Sequence, residues 1–152
     1  MGPMDALDRI ERTVEIDAPA SRVWKLISEP GWYINDERIV EHRIERRGEL
    51  DVVHDPVHGE FAFATVRLDE PRYAAFRWLA DPAVADSPST LVEFTIAEVA
   101  PGRVTLTVVE TGFAALPGTE LERREKYDGN VEGWAIEMAL AKSHLEAVDA
   151  VG

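Results

Sequence analysis

TELERREKYDGNVEGWAIEMALAKSHLEAV, residues 119–148, decides how the rest of this chain is read. Within it Val131, Trp134, Met138, Ala141, Leu145 and Val148 recur at three- and four-residue intervals, the spacing that lines one face of an α-helix. Thr119 and Glu122 have the spacing of a capping box, which satisfies backbone N–H groups left open at a helix start. Charges of both signs over residues 120–126 suit a solvated face. Gly129 and Gly133 interrupt the pattern, each costing about 1 kcal/mol relative to alanine, so they are expected to loosen or bend the helix or to let it approach another layer closely. A single apolar stripe cannot be buried by its own helix; a second layer must cover it.

That layer is written upstream as alternation. In residues 103–111, Val104, Leu106, Val108 and Glu110 share one side and Thr105, Thr107, Val109 and Thr111 the other, the period of a half-buried strand. Ala100-Pro101-Gly102 joins this strand to another over residues 91–99, a hairpin signal. Residues 10–17 alternate in the same way. Asp17-Ala18-Pro19-Ala20-Ser21 then supplies a turn and a helix start, and Val23, Trp24 and Ile27 give a short helix its buried side before Pro30-Gly31 ends it. Trp32-Tyr33-Ile34 reads as a second short helix or an aromatic turn. Further strands are expected over residues 39–46, 50–53, 60–68 and 72–79, with loops at 80–88 and 112–118. The sum is α+β: a curved antiparallel sheet of about six or seven strands wrapped around a long C-terminal helix, with two short helices after the first strand. Residues 9–150 read as one domain and residues 1–8 as a disordered N-terminal segment.

Bulk properties narrow the function. A chain of 152 residues, 45% of them hydrophobic, suffices for one full core, and no apolar run approaches the ~20 residues of a membrane helix. Membrane insertion is not expected. The start of the chain lacks the basic stretch and apolar core of a secretory signal, so a cytoplasmic location is expected. With no cysteine in the sequence, disulfides, thiolate metal sites and a cysteine nucleophile are excluded. A net charge of −13 repels phosphate backbones, so nucleic acid is not an expected partner.

Several short motifs then fall in a telling order: Ile16-Asp17-Ala18-Pro19, Val23-Trp24, Trp32, Gly59, Glu70-Pro71-Arg72, Phe76-Arg77-Trp78, the strand pair of residues 90–111, Gly112-Phe113 and Gly133-Trp134. Together they resemble the SRPBCC (START-like, helix-grip) superfamily, and within it the AHSA-like branch, the homologues of the activator of the heat-shock-chaperone ATPase. The resemblance covers nearly the whole chain. It implies a deep cavity between the long helix and the sheet; members bind lipids, polyketides, hormones or other apolar small molecules, and some catalyse cyclisation or hydrolysis.

Candidate site residues follow from faces. Glu110 shares the side of Val104, Leu106 and Val108, where a carboxylate facing an apolar space would have a raised pKa and could meet a ligand donor or act as acid or base; at the strand end it could instead be solvated or paired with an arginine. Trp32, Phe76, Trp78, Phe94, Leu106, Val108, Trp134 and Met138 complete the expected ligand-binding set, since large rings offer area with few polar demands. Trp24 is expected to be structural, and Glu93 and Arg77 to face outward. His54 and His58 bracket a turn but lack a helix to present them and a full ligand set, so no metal and no cofactor are expected. His42 and His144 read as surface or rim residues. No nucleophile elbow or phosphate loop is present. The leading expectation is a protein that binds a small apolar or aromatic molecule, lipid-like or polyketide-like. The alternatives are a cochaperone-like interaction module or homodimer, and a cyclase or hydrolase using Glu110.

Overall fold

The computed structural model describes residues 8–151, with side chains to residue 147. The segment expected to be disordered lies, apart from Asp8, outside these residues, as does the side chain of Val148. Seven strands, β1 (Arg9–Ile16), β2 (Arg43–Arg47), β3 (Leu50–Asp55), β4 (Gly59–Asp69), β5 (Tyr73–Leu79), β6 (Ser89–Ala100) and β7 (Arg103–Thr111), form one antiparallel sheet in the order β1-β7-β6-β5-β4-β3-β2. A short helix α1 (Ala20–Ile27) follows β1, a single 3₁₀ turn spans Phe113–Ala115, and α2 (Glu120–Val151) closes the chain. This is the α+β helix-grip arrangement. Among the described residues no helix is long and apolar enough to cross a membrane.

The sheet runs as a meander from β2 to β7, and β1 returns to pair with β7. Register breaks at Thr65/Arg67 in β4 and Glu98/Ala100 in β6 bend these strands, as bulges do by placing an extra residue in one partner. The inner faces carry Ile16, Val53, Phe63, Phe76, Phe94, Leu106 and Val108, all with no exposed surface. Against them α2 lays Trp134, Met138, Ala141 and Leu145, none more than 3% exposed. Burying one such leucine contributes about 1.5–3 kcal/mol. The capping box forms in both directions: Thr119 N–H donates to Glu122 Oε1 at 3.0 Å and Glu122 N–H to Thr119 Oγ1 at 3.1 Å.

Three local readings change. The strand expected over residues 39–46 starts only at Arg43: before it the Val40 N–H is taken by a side chain instead of a strand partner, donating to Asn35 Oδ1 at 3.0 Å, while the His42 ring pairs with the Asp55 side chain at 3.0 Å. Residues 31–34 form the aromatic turn rather than a second helix, closed by Ile34 N–H to Gly31 O at 3.1 Å. Gly31 is required there: its φ is 71°, and a Cβ would stand 2.9 Å from both Phe63 and Val53. Close approach does not explain Gly129 or Gly133, since a Cβ at either meets nothing within 4 Å.

Candidate functional site

Alternation along β7 carries Glu110 to the inner face, where it is fully buried. A charge in that position is costly unless hydrogen-bonded, and the neighbouring elements supply three donors. Thr90 Oγ1 of β6 donates to Oε2 at 2.6 Å, while Asn130 Nδ2 and Trp134 Nε1, one turn apart on α2, donate to Oε1 at 2.9 and 2.8 Å. Burial raises the Glu110 pKa, and these three bonds oppose the rise. The carboxylate is therefore neither solvated nor paired with an arginine; it ties α2 to β6 and β7.

The space beneath α2 is largely filled by rings centred on Tyr33. Its centroid lies 4.7 Å from Trp134, 5.2 Å from Trp78, 5.8 Å from Phe63 and 5.9 Å from Phe94. Such tilted and edge-on pairs are favourable beyond the area they bury. The Tyr33 hydroxyl and the Trp32 indole N–H are buried without a hydrogen-bond partner, and burial, with the Glu110 charge nearby, pushes the Tyr33 pKa well up.

Two open spaces adjoin Trp78. A cleft of about 120 Å³ is lined by Tyr33, Trp78, Asn130, Gly133, Trp134 and Glu137. A groove of about 470 Å³ is lined by Trp78 with Phe61, Leu79, Leu116, Pro117 and Lys126, and by the polar side chains of His58, Glu60 and Arg123 among others. Lys126 Nζ stands 5.2 Å from the Trp78 ring centroid, within cation–π range. Of the expected ligand-binding set, Trp78 and Trp134 line the cleft, and Glu110 lies against the cleft residues Asn130 and Trp134. Trp32, Phe76, Phe94, Leu106, Val108 and Met138 are packed in the core and line neither space.

Two polar cleft residues escaped the sequence reading. Asn130 and Glu137 sit four residues before and three after Trp134, on the same helix face, and that spacing was a usable signal. Glu137 is 8% exposed and accepts from Asn35 Nδ2 at 2.9 Å. Burial raises its pKa to about 7; the Asn35 bond opposes, the Asp36 charge adds, and His58 opposes.

The histidines turn to carboxylates. His54 bridges Glu45 at 3.0 Å and Glu60 at 3.3 Å, and His58 meets Asp36 at 2.7 Å; among the described residues no group of three potential ligands gathers around a metal position. His144 is exposed. His42 is not a surface residue: its side chain is 1% exposed beside Asp55, itself 5% exposed, and its Nδ1 has no partner. Burial alone would raise the Asp55 carboxyl, but N–H bonds from His58 and Val57 and the His42 ring hold it below the usual range. Glu93 is half-buried and accepts from the Tyr73 hydroxyl, while Arg77 is exposed.

With a curved antiparallel sheet gripping a long C-terminal helix, the chain has the helix-grip, START-like fold. Solved structures of similar shape include the Aha1 dimer of Colwellia psychrerythraea, at 14% identity, TM-score 0.63, covering 91% of this chain and 96% of that one. Protein MLL2253 from Mesorhizobium loti matches at 15% identity and TM-score 0.66 over 91% of this chain and 97% of that one. DynU16, from the dynemicin biosynthetic locus, matches at 18% identity and TM-score 0.66 over 91% of this chain and 47% of that one. At such identities the likeness establishes the fold. No family model and no curated protein matches the sequence.

Proposed function

We propose that the protein binds a small molecule with an apolar or aromatic body, lipid-like or polyketide-like, at the Trp78 end of the interface between α2 and the sheet. The observation that carries this reading is the position of Trp78. It is half-buried and walls both the cleft and the groove, whereas the deeper rings of Trp32, Phe76 and Phe94 have no exposed surface. An indole offers a planar guest a stacking face, and ligand sites are concave, mostly apolar and furnished with a few polar groups. Asn130, Glu137 and Lys126 supply those groups here. The buried members of the expected set stiffen the wall from behind. Glu110, whose two oxygens already hold three donors, belongs in this reading to the scaffold rather than to acid–base chemistry.

Ligand-observed NMR with flavonoids, aromatic polyketide-like compounds and fatty acids tests the assignment. Binding should appear in the wild type and weaken by about tenfold or more in Trp78→Ala, a loss of roughly 1.4 kcal/mol or more. A library in which nothing binds, or binding unchanged by Trp78→Ala, removes the reading. A second reading, a protein-interaction module or homodimer, draws on one comparison: the Aha1 relative was solved as a dimer. Light scattering across a concentration series tests self-association, and a pull-down with a heat-shock ATPase followed by an ATPase assay tests a chaperone partner. A monomer mass throughout and no stimulation would remove it.

A further inference from the structure

Hydrophobic walls do not explain the charge on the cleft. Tyr33, Trp78 and Trp134 present three aromatic rings, and α2 supplies Asn130, Gly133 and Glu137. No cationic side chain lines it; Lys126 lines the neighbouring groove, with Nζ 5.2 Å from the Trp78 ring centroid, and its charge acts on Glu110. Glu137 receives a hydrogen bond from the neutral amide of Asn35 and forms no lysine or arginine ion pair among the described residues. The charged groups that reach it are Asp36 in the loop after the aromatic turn and His58 in the β3–β4 turn. Glu110 lies behind Asn130 and Trp134.

This is a carboxyl partly withdrawn from water, without a lysine or arginine partner among the described residues, in a cleft lined by three aromatic rings. An apolar guest alone would leave it unpaired, and an anion would be repelled by Glu137, by Glu110 and by a chain of net charge −13. A cation can meet both kinds of partner, the aromatic rings and the carboxylate. We propose that the cleft takes an organic cation, an ammonium group carrying methyl or methylene substituents. The assignment rests on the cleft being part of the ligand site and names the head group it selects. A volume of about 120 Å³ limits that group to a few heavy atoms, on the scale of ~30 Å³ per water-sized unit. The rest of the ligand extends outside the cleft.

The test compares choline with 3,3-dimethyl-1-butanol, an uncharged molecule of nearly the same shape. Both are titrated into the full chain near pH 8, above the Glu137 pKa of about 7, and followed by the indole N–H resonances of Trp78 and Trp134. Choline should bind about tenfold more tightly than the alcohol. Glu137→Gln should erase that preference while keeping the folded spectrum, and Trp78→Leu should weaken choline independently of Glu137. Equal binding of the two probes, or a preference that survives in Glu137→Gln, overturns the cation assignment. If neither probe moves the indoles but neutral aromatic compounds do, the cation assignment fails and the ligand site stands. If no compound moves them, both fail.

Discussion

Glu110 and Glu137 are two buried carboxyls beside the same helix, and their surroundings differ. Glu110 has no exposed surface and holds three donors from β6 and α2. Glu137 is 8% exposed, accepts one hydrogen bond from Asn35 and lines an open cleft. A buried polar group whose bonds are all made inside the protein specifies packing, whereas one left short of partners at the edge of a cavity is available to something from outside. Under the proposed function the first is a scaffold position and the second a binding position, and the two are separable by mutation.

The largest expected effect lies on the scaffold side. Glu110→Ala removes the acceptor for Trp134, Asn130 and Thr90 and leaves a void among 0%-exposed neighbours such as Val92 and Val108, so it should cost about 3–5 kcal/mol in urea denaturation. A loss below about 1 kcal/mol would show that the network does not hold α2 in place. Glu137→Gln should act instead through pH. A carboxyl whose folded pKa is raised from 4.5 to about 7 favours the protonated folded state, so its stabilising effect is complete below 4.5 and is lost as pH rises through about 7. Wild-type stability should therefore fall across this interval and the Glu137→Gln profile should be flatter. Glu110, also raised by burial, acts with the same sign and leaves a residual slope. Parallel profiles would mean that Glu137 is solvated as an ordinary surface acid.

The smallest effect concerns the glycine between them. Because a Cβ at Gly133 meets nothing within 4 Å, Gly133→Ala should gain up to about 1 kcal/mol of thermal or urea stability from helix propensity alone. Gly133→Leu should remain folded yet block ligands from the cleft. If Gly133→Leu binds every ligand the wild type binds, the cleft is not the site.

How much of this was legible beforehand depends on which physical signal each residue carries. Periodicity is local, so the stripe of Trp134, Met138, Ala141 and Leu145, the strand at Arg103–Thr111 and the Thr119–Glu122 cap could all be read from neighbours in the chain. Alternation also placed Glu110 on the inner face. Its three donors could not be read, because Thr90 and Asn130 each lie 20 residues away in opposite directions and Trp134 lies 24 away. His42 was misread for the same reason: nothing near it in sequence announces a buried partner 13 residues on. Asn130 and Glu137 were within reach of helical spacing, but polar residues beside an apolar stripe are ordinarily its solvated margin.

By itself the sequence determined the layers and their faces: a long amphipathic helix, strands of alternating character and the short signals that start and stop them. These depend on the two periodicities of the backbone, which any contiguous stretch displays. The tertiary structure alone decided how full the interior is and where it stays open. Tyr33 fills the space under α2, Trp78 lines both a cleft and a groove, and Glu137 rather than Glu110 is the carboxyl that lines the cleft. Cavity volume is the small remainder left when side chains from distant elements pack together, so it is set by the sum of their shapes and not by any one segment.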